Sequence, residues 1–483
     1  MNNKKTSISK LSVLTLAIMN ITAVVSLRGL PAEATYGLTS AFYYLFATLV
    51  FLIPTALVAA ELASMFSSSE GGVFRWVGEA FGARGGFLAI WLQWIQNTIW
   101  YPTVLTFASV AIAFSLVGDA TSAPLASNKI FTLITVLVIY WLATFISLKG
   151  LGWVGKIAKI GGIVGTIIPS ALLIVLGITY LATGGVNQMD MSQSFFPDLT
   201  KLDNLVLASS IFLFFAGMEM MGVHVMDVDN PKRNYPKAIF LGSLIVVLIF
   251  ILGTFSLGVI IPSKDINLTQ SLLIGFDSFF KYLHISWASP ILALALVFGV
   301  LAGVLTWVAG PSKGIFVVGK AGYLPKFFQR TNKMGVQRNI LLIQGGVVTL
   351  LSLLFVVMPS VQSFYQILSQ LTVLLYLIVY LLMFASVIVL RYKMPKVDRP
   401  FRIGKGNLLL WLVAGLGFSG SLLAFVLSFI PPSQIAVGSN MVWYLVLAVG
   451  AVVFVIIPFI IYAKRKPSWR DETVEFTPFN TKK

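Results

Sequence analysis

The sequence predicts an all-α integral membrane protein with 12 transmembrane helices. Composition, the number of apolar runs and the placement of charge predict it together. Of 483 residues, 58% are hydrophobic and only 11% are charged, whereas a soluble domain carries about 25% charged residues. A membrane-crossing helix needs roughly 20 apolar residues. Such runs occur at about 11–34, 40–65, 87–116, 129–148, 155–183, 204–226, 237–262, 288–316, 339–359, 363–390, 407–430 and 441–463. Lipid offers backbone amides no partner, so the runs are read as helices. The short alternating strands of a membrane β-barrel are not seen.

Charge placement tests the count. Residues 1–10 are polar and basic, and the apolar run after Lys10 is too long for a cleavable signal's core, so it is read as span 1. With 12 spans both termini share a side. Assigning that side to the cytoplasm puts 29 of the 34 basic residues there. The other side holds Lys129, Lys201, Lys264 and Lys281, and Arg28 lies within span 1. Positive charge collects on the cytoplasmic side of membrane proteins. The net charge of +17 is therefore read as topological, with a contribution from anionic lipid, and not as a nucleic-acid footprint. The loops are too short for a soluble domain, and 464–483 form a short cytoplasmic tail.

Two spans carry helix breakers in corresponding places. Span 1 reads Val25-Ser26-Leu27-Arg28-Gly29-Leu30-Pro31, and span 6 reads Phe214-Phe215-Ala216-Gly217-Met218-Glu219-Met220-Met221-Gly222. Pro31 removes a backbone donor, and Gly29, Gly217 and Gly222 make departure from the helix easier. Spans 1 and 6 are five apart, which points to two inverted five-helix repeats, 11–183 and 204–390, with a binding site between the broken helices. Freed backbone groups at Ser26, Leu27, Arg28, Gly29 and Leu30, and at Phe215, Ala216, Gly217 and Met218, are candidates to hold a zwitterion. The bland reading is that glycine and proline are common in membrane helices. Arg28 and Glu219 are costly residues at this depth. Arg28 either favours an anionic substrate or snorkels toward the headgroups. Glu219 is a proton-coupling candidate or, equally, an acceptor capping the broken helix.

Other residues point less sharply. Glu33 and Glu61 are read as interfacial or loop-bonding. Trp91, Trp94, Trp100 and Tyr101 form an aromatic cluster of which one member could line a pathway. Lys156 and Lys159 anchor the start of span 5 or replace a coupling cation, and His224 is read as structural. There is no cysteine and only His224 and His284, so no metal site and no cofactor are expected.

Several segments resemble the amino acid–polyamine–organocation superfamily. Glu70-Gly71-Gly72-Val73-Phe74-Arg75-Trp76-Val77 resembles its signature after span 2. Gly217-Met218-Glu219, His224-Val225 and Asn230-Pro231-Lys232-Arg233-Asn234-Tyr235-Pro236 are similar to span 6 and its loop in the glutamate/γ-aminobutyrate antiporter branch. So are Trp307-Val308-Ala309-Gly310-Pro311-Ser312-Lys313-Gly314 and Arg399-Pro400-Phe401-Arg402-Ile403. The resemblance implies a LeuT-like 5+5 inverted repeat with 407–463 as two peripheral helices. It implies amino acid uptake, or exchange of an amino acid for its decarboxylated amine. Trp307, Tyr376 and Tyr380 fall at aromatic positions of such sites, although on bare priors they pack. Arg28 falls where these antiporters have an aromatic gating residue, a departure that bears on the substrate. The tail is shorter than the C-terminal plug of some members, so gating by such a plug is not expected.

The expected function is secondary transport of a small amino acid or amine, by antiport or proton symport. A membrane-embedded enzyme would cluster His, Asp or Glu at one membrane face, and a channel would show filter residues. Self-association is compatible with the sequence.

Overall fold

The computed structural model describes residues 12–67, 72–117, 123–191, 194–198, 200, 209–219, 228–432, 439–473 and 479. The principal helices are α1 (Val13–Val24), α2 (Leu30–Ala34), α3 (Thr39–Met65), α4 (Val73–Phe81), α5 (Ala83–Val117), α6 (Lys129–Leu148), α7 (Trp153–Ala182) and α8 (Ser210–Phe215). They continue with α9 (Pro231–Ile260), α10 (Ser271–Tyr282), α11 (Ala288–Tyr323), α12 (Arg338–Val357), α13 (Val361–Lys393), α14 (Leu408–Leu427) and α15 (Asn440–Ala463). No β-strand of more than an isolated bridge occurs among the described residues.

Ten of these helices are long and apolar enough to cross a membrane. They coincide with ten of the expected runs. The other two runs, 11–34 and 204–226, are not continuous helices. The first divides into α1 and α2, and the described part of the second leaves the helix after α8.

α5 lies at the centre, packed against α11 and α13; α7 lies on α11, and α1 on α9. In α5, 78% of the most apolar window is buried, against 17% in α15 at higher hydropathy. An apolar helix with so little protein cover faces lipid. α7 and α11 approach so closely at Gly165 and Gly299 that a side chain on either would overlap the other's backbone. Small residues permit such contact in membranes, where packing drives association. At this contact α7 widens into a π-helical turn, Ile163–Ile167, with Gly165 at its centre.

The end of the molecule carrying the basic loops is held by a buried ionic cluster. Glu61 on α3 accepts from Arg391 Nε at 3.0 Å and from the Ile403 amide at 2.7 Å, and pairs with Arg399 Nε at 3.3 Å. Arg399 also donates to the Leu390 and Met394 carbonyls at 2.9 Å. Glu61 thus bonds a loop, as expected. Glu33 departs from its expected place: it is fully buried and accepts from Ser210 Oγ at 2.9 Å, tying α2 to the start of α8. A carboxyl that far from water needs such a partner.

The tail folds onto the same end. The Trp469 carbonyl accepts from Gln329 Nε2 at 2.7 Å, and the Asp471 amide donates to the Lys320 carbonyl at 2.9 Å. The Phe479 ring lies 5.1 Å from that of Phe74 on α4, with the Arg75 guanidinium 5.4 Å from its centroid.

Candidate functional site

The first break falls at Val25 and Ser26, both extended (ψ 121° and 106°). A 3₁₀ turn, Leu27–Gly29, follows, and α2 begins at Leu30. Pro31 is not the breaker that its chemistry suggests. It sits in the first turn of α2, where an amide hydrogen is unpaired in any case. Gly29 has ordinary helical angles, and its role is room: the Phe214 ring lies against it, where a Cβ would stand.

The second break begins at Ala216, extended at ψ 150°, and Gly217 takes a φ of +107° that residues with a Cβ rarely adopt. Glu219 is hydrogen-bonded across this break. It accepts the Gly217 amide at 3.1 Å, the Tyr380 hydroxyl at 2.7 Å and a short bond from the Tyr376 hydroxyl. Tyr380 also accepts the Gly217 amide at 3.1 Å. The unwound amide, the carboxyl and the two phenols form one network between α13 and the segment that follows α8. Met220, Met221, Gly222, His224 and Val225 lie outside the described residues, as do Glu70 and Gly71.

Two cavities meet at the breaks. The smaller, about 60 Å³, is lined by Ser26, Arg28, Gln96, Asn97, Trp100, Phe214, Ala216, Trp307 and Tyr376, among others. It has room for about two waters. The larger, about 820 Å³, shares Ser26, Arg28, Trp100 and Trp307, adds Val25, Leu27 and Gly217, and runs along α7 past Lys159 to Gly310 and Pro311 on α11. Its volume is that of a ligand pocket. Lys159 is exposed on this wall. The described tail residues line neither cavity.

Ser26, Leu27, Arg28, Ala216, Gly217, Trp307 and Tyr376 therefore converge, although more than 340 positions separate Ser26 from Tyr376. The remaining candidates stand behind the wall. Gly29 is covered by Phe214, Leu30 and Met218 are fully buried, and Phe215 packs against Tyr44 and Phe250 at 6.2 and 5.6 Å. Tyr380 supports Glu219 and Gly217 without reaching either cavity. Sequence reading missed Gln96 and Asn97. Asn97 donates to the Trp307 carbonyl at 3.3 Å and so aligns α5 with α11. The available signal was three amides, Gln93, Gln96 and Asn97, within about one turn of a largely apolar span. Trp94 proves structural: its indole donates to Gln344 Oε1 at 2.7 Å, and Gln344 donates to the Tyr140 hydroxyl at 2.8 Å.

Arg28 is inside the protein, not snorkelling. It is 5% exposed, its Nη1 donates to the Tyr365 hydroxyl at 3.2 Å, and its guanidinium carbon lies 5.6, 5.5 and 5.9 Å from the ring centroids of Trp100, Phe214 and Tyr365.

A bundle of apolar helices long enough to cross a membrane, two unwound segments facing one half-open cavity and polar groups gathered there define a helical membrane transporter. A family model described as "Amino acid permease" matches residues 11–455, and the chain belongs to that family. It is 38% identical to an uncharacterised transporter of Legionella pneumophila, over 94% of this chain and 97% of that one. It is 34% identical to a glutamate/γ-aminobutyrate antiporter of Lactococcus lactis, over 96% and 91%. A probable agmatine/putrescine antiporter of Lactococcus lactis is similar at 26%, over 91% and 92%.

Proposed function

We propose that the protein is a secondary active transporter that exchanges amino acids by alternating access, with substrates of the glutamate/γ-aminobutyrate type. The observation that carries this is the pair of breaks at Ser26 and Gly217, which open onto one cavity. On this reading the ten continuous spans and two broken ones make 12, arranged as a LeuT-like 5+5 inverted repeat, 11–183 and 204–390, with 407–463 peripheral. Both termini lie in the cytoplasm, and the larger cavity opens to that side past Lys159 and Pro311. Unwound backbone at Val25 and Ser26 and at Ala216 and Gly217 offers polar groups to the substrate, and Trp307 and Tyr376 flank it. The 34% identity to glutamate/γ-aminobutyrate antiporters over nearly the whole chain supports exchange.

Counterflow in proteoliposomes tests this. Vesicles loaded with unlabelled γ-aminobutyrate should accumulate labelled glutamate, and empty ones should not. A folded preparation that takes up no amino acid or amine under any loading rejects transport. Proton symport is the second reading, favoured by Glu219, a buried carboxyl wired directly to the second break. Uptake into empty vesicles driven by an inward proton gradient, and abolished by Glu219→Gln, would replace exchange with symport.

A further inference from the structure

Arg28 is a buried cation whose expected partner is missing. No Asp or Glu pairs with it among the described residues, and its Nε–H, buried, has no acceptor. The buried acids of the two broken segments bond other groups: Glu219 bonds Tyr376, Tyr380 and the Gly217 amide, and Glu33 accepts from Ser210 through one oxygen. The Tyr365 phenol and the rings of Trp100 and Phe214 surround the guanidinium, and buried charges ordinarily meet an opposite charge. Arg28 also lines both cavities. The guanidinium is a rigid fork of N–H donors matched to a carboxylate, and its Nε–H is unspent.

Given the exchange proposed above, we infer that Arg28 binds the side-chain carboxylate of the substrate, the one anionic group that glutamate and γ-aminobutyrate share. γ-Aminobutyrate is glutamate without its α-carboxylate. A site that takes both in turn gains nothing in common from reading the α-carboxylate. It gains the same contact twice by reading the other end. The aromatic walls of Trp100 and Phe214 hold the guanidinium in place while the site is empty, since an arginine over ring faces is partly compensated for lost water. Glutamine has the same length as glutamate but offers no charge and is discriminated against.

The test is competition and counterflow with glutamate, γ-aminobutyrate and glutamine on the wild type, Arg28→Gln and Arg28→Lys. Truncating one partner of a charge-assisted hydrogen bond predicts that Arg28→Gln loses affinity for both glutamate and γ-aminobutyrate by about tenfold or more. Glutamine should bind Arg28→Gln no worse than the wild type, and Arg28→Lys should recover part of the glutamate preference. Equal loss for glutamate and glutamine overturns the inference in favour of a packing role. Loss of glutamate with γ-aminobutyrate unchanged overturns it in favour of the α-carboxylate. If Arg28→Gln fails to fold, the wild type decides: equal affinity for glutamate and glutamine overturns the assignment. Uptake of neutral amino acids alone by the wild type refutes this assignment and leaves transport standing, whereas no uptake at all refutes transport.

Discussion

At the residue scale, the second break rests on Gly217 and the hydroxyls around Glu219. Gly217→Ala forces a Cβ into a left-handed backbone, at about 1–2 kcal/mol. It should lower the unfolding temperature of the purified protein and abolish exchange. An unchanged variant would mean that the +107° angle is not required for function. The two tyrosines are not equivalent. Tyr380 bonds both Glu219 and the Gly217 amide, whereas Tyr376 bonds Glu219, does not reach the unwound amide and lines the smaller cavity. A buried polar group left without its partner costs about 1–3 kcal/mol. Tyr380→Phe should therefore destabilise more than Tyr376→Phe in thermal denaturation. Tyr376→Phe should act chiefly on apparent substrate affinity in competition assays.

At the element scale, close approach and a buried ionic cluster decide what can move. α7 and α11 touch through Gly299 and Gly165, the latter within a π-helical turn, and both helices wall the larger cavity. A side chain at Gly165 must separate them. Gly165→Val should still insert and purify but should exchange far more slowly, measured as initial counterflow rate. A wild-type rate would show that the two helices need not stay in contact. At the opposite extreme, Glu61 ties α3, α13 and the loop after it into one unit. Removing one member of a buried ion pair costs about 3–5 kcal/mol, because the remaining charges stay buried. Glu61→Ala should sharply reduce folded yield, whereas substitutions at exposed Lys396 should not.

For the whole molecule, orientation is the open variable, and the absence of cysteine makes it measurable without background. Lys264→Cys and Lys396→Cys lie in exposed loops on what the 12-span reading makes opposite sides. An impermeant maleimide should label Lys264→Cys in intact cells and Lys396→Cys only after permeabilisation. Labelling of both from outside would break the alternation on which the span count depends.

The sequence alone determined the solvent, the positions of the ten continuous apolar helices and the two places where helices fail. Those follow from local properties: apolar run length, charge placement and the backbone preferences of glycine. It also placed Arg28 and Glu219 at the breaks, since a charge within an apolar span stands out without any fold. Only the tertiary structure decided what each break is made of. Pro31 begins α2 instead of ending α1, because a proline's missing amide hydrogen is harmless in a first helical turn and the chain has already left the helix at Ser26. Only packing showed that Glu33 bonds Ser210, that Phe215 packs against Tyr44 and Phe250, that Asn97 reaches Trp307 and that Arg28 pairs with no carboxylate among the described residues. Partners hundreds of residues apart leave no local trace, because what brings them together is the fit of whole helices.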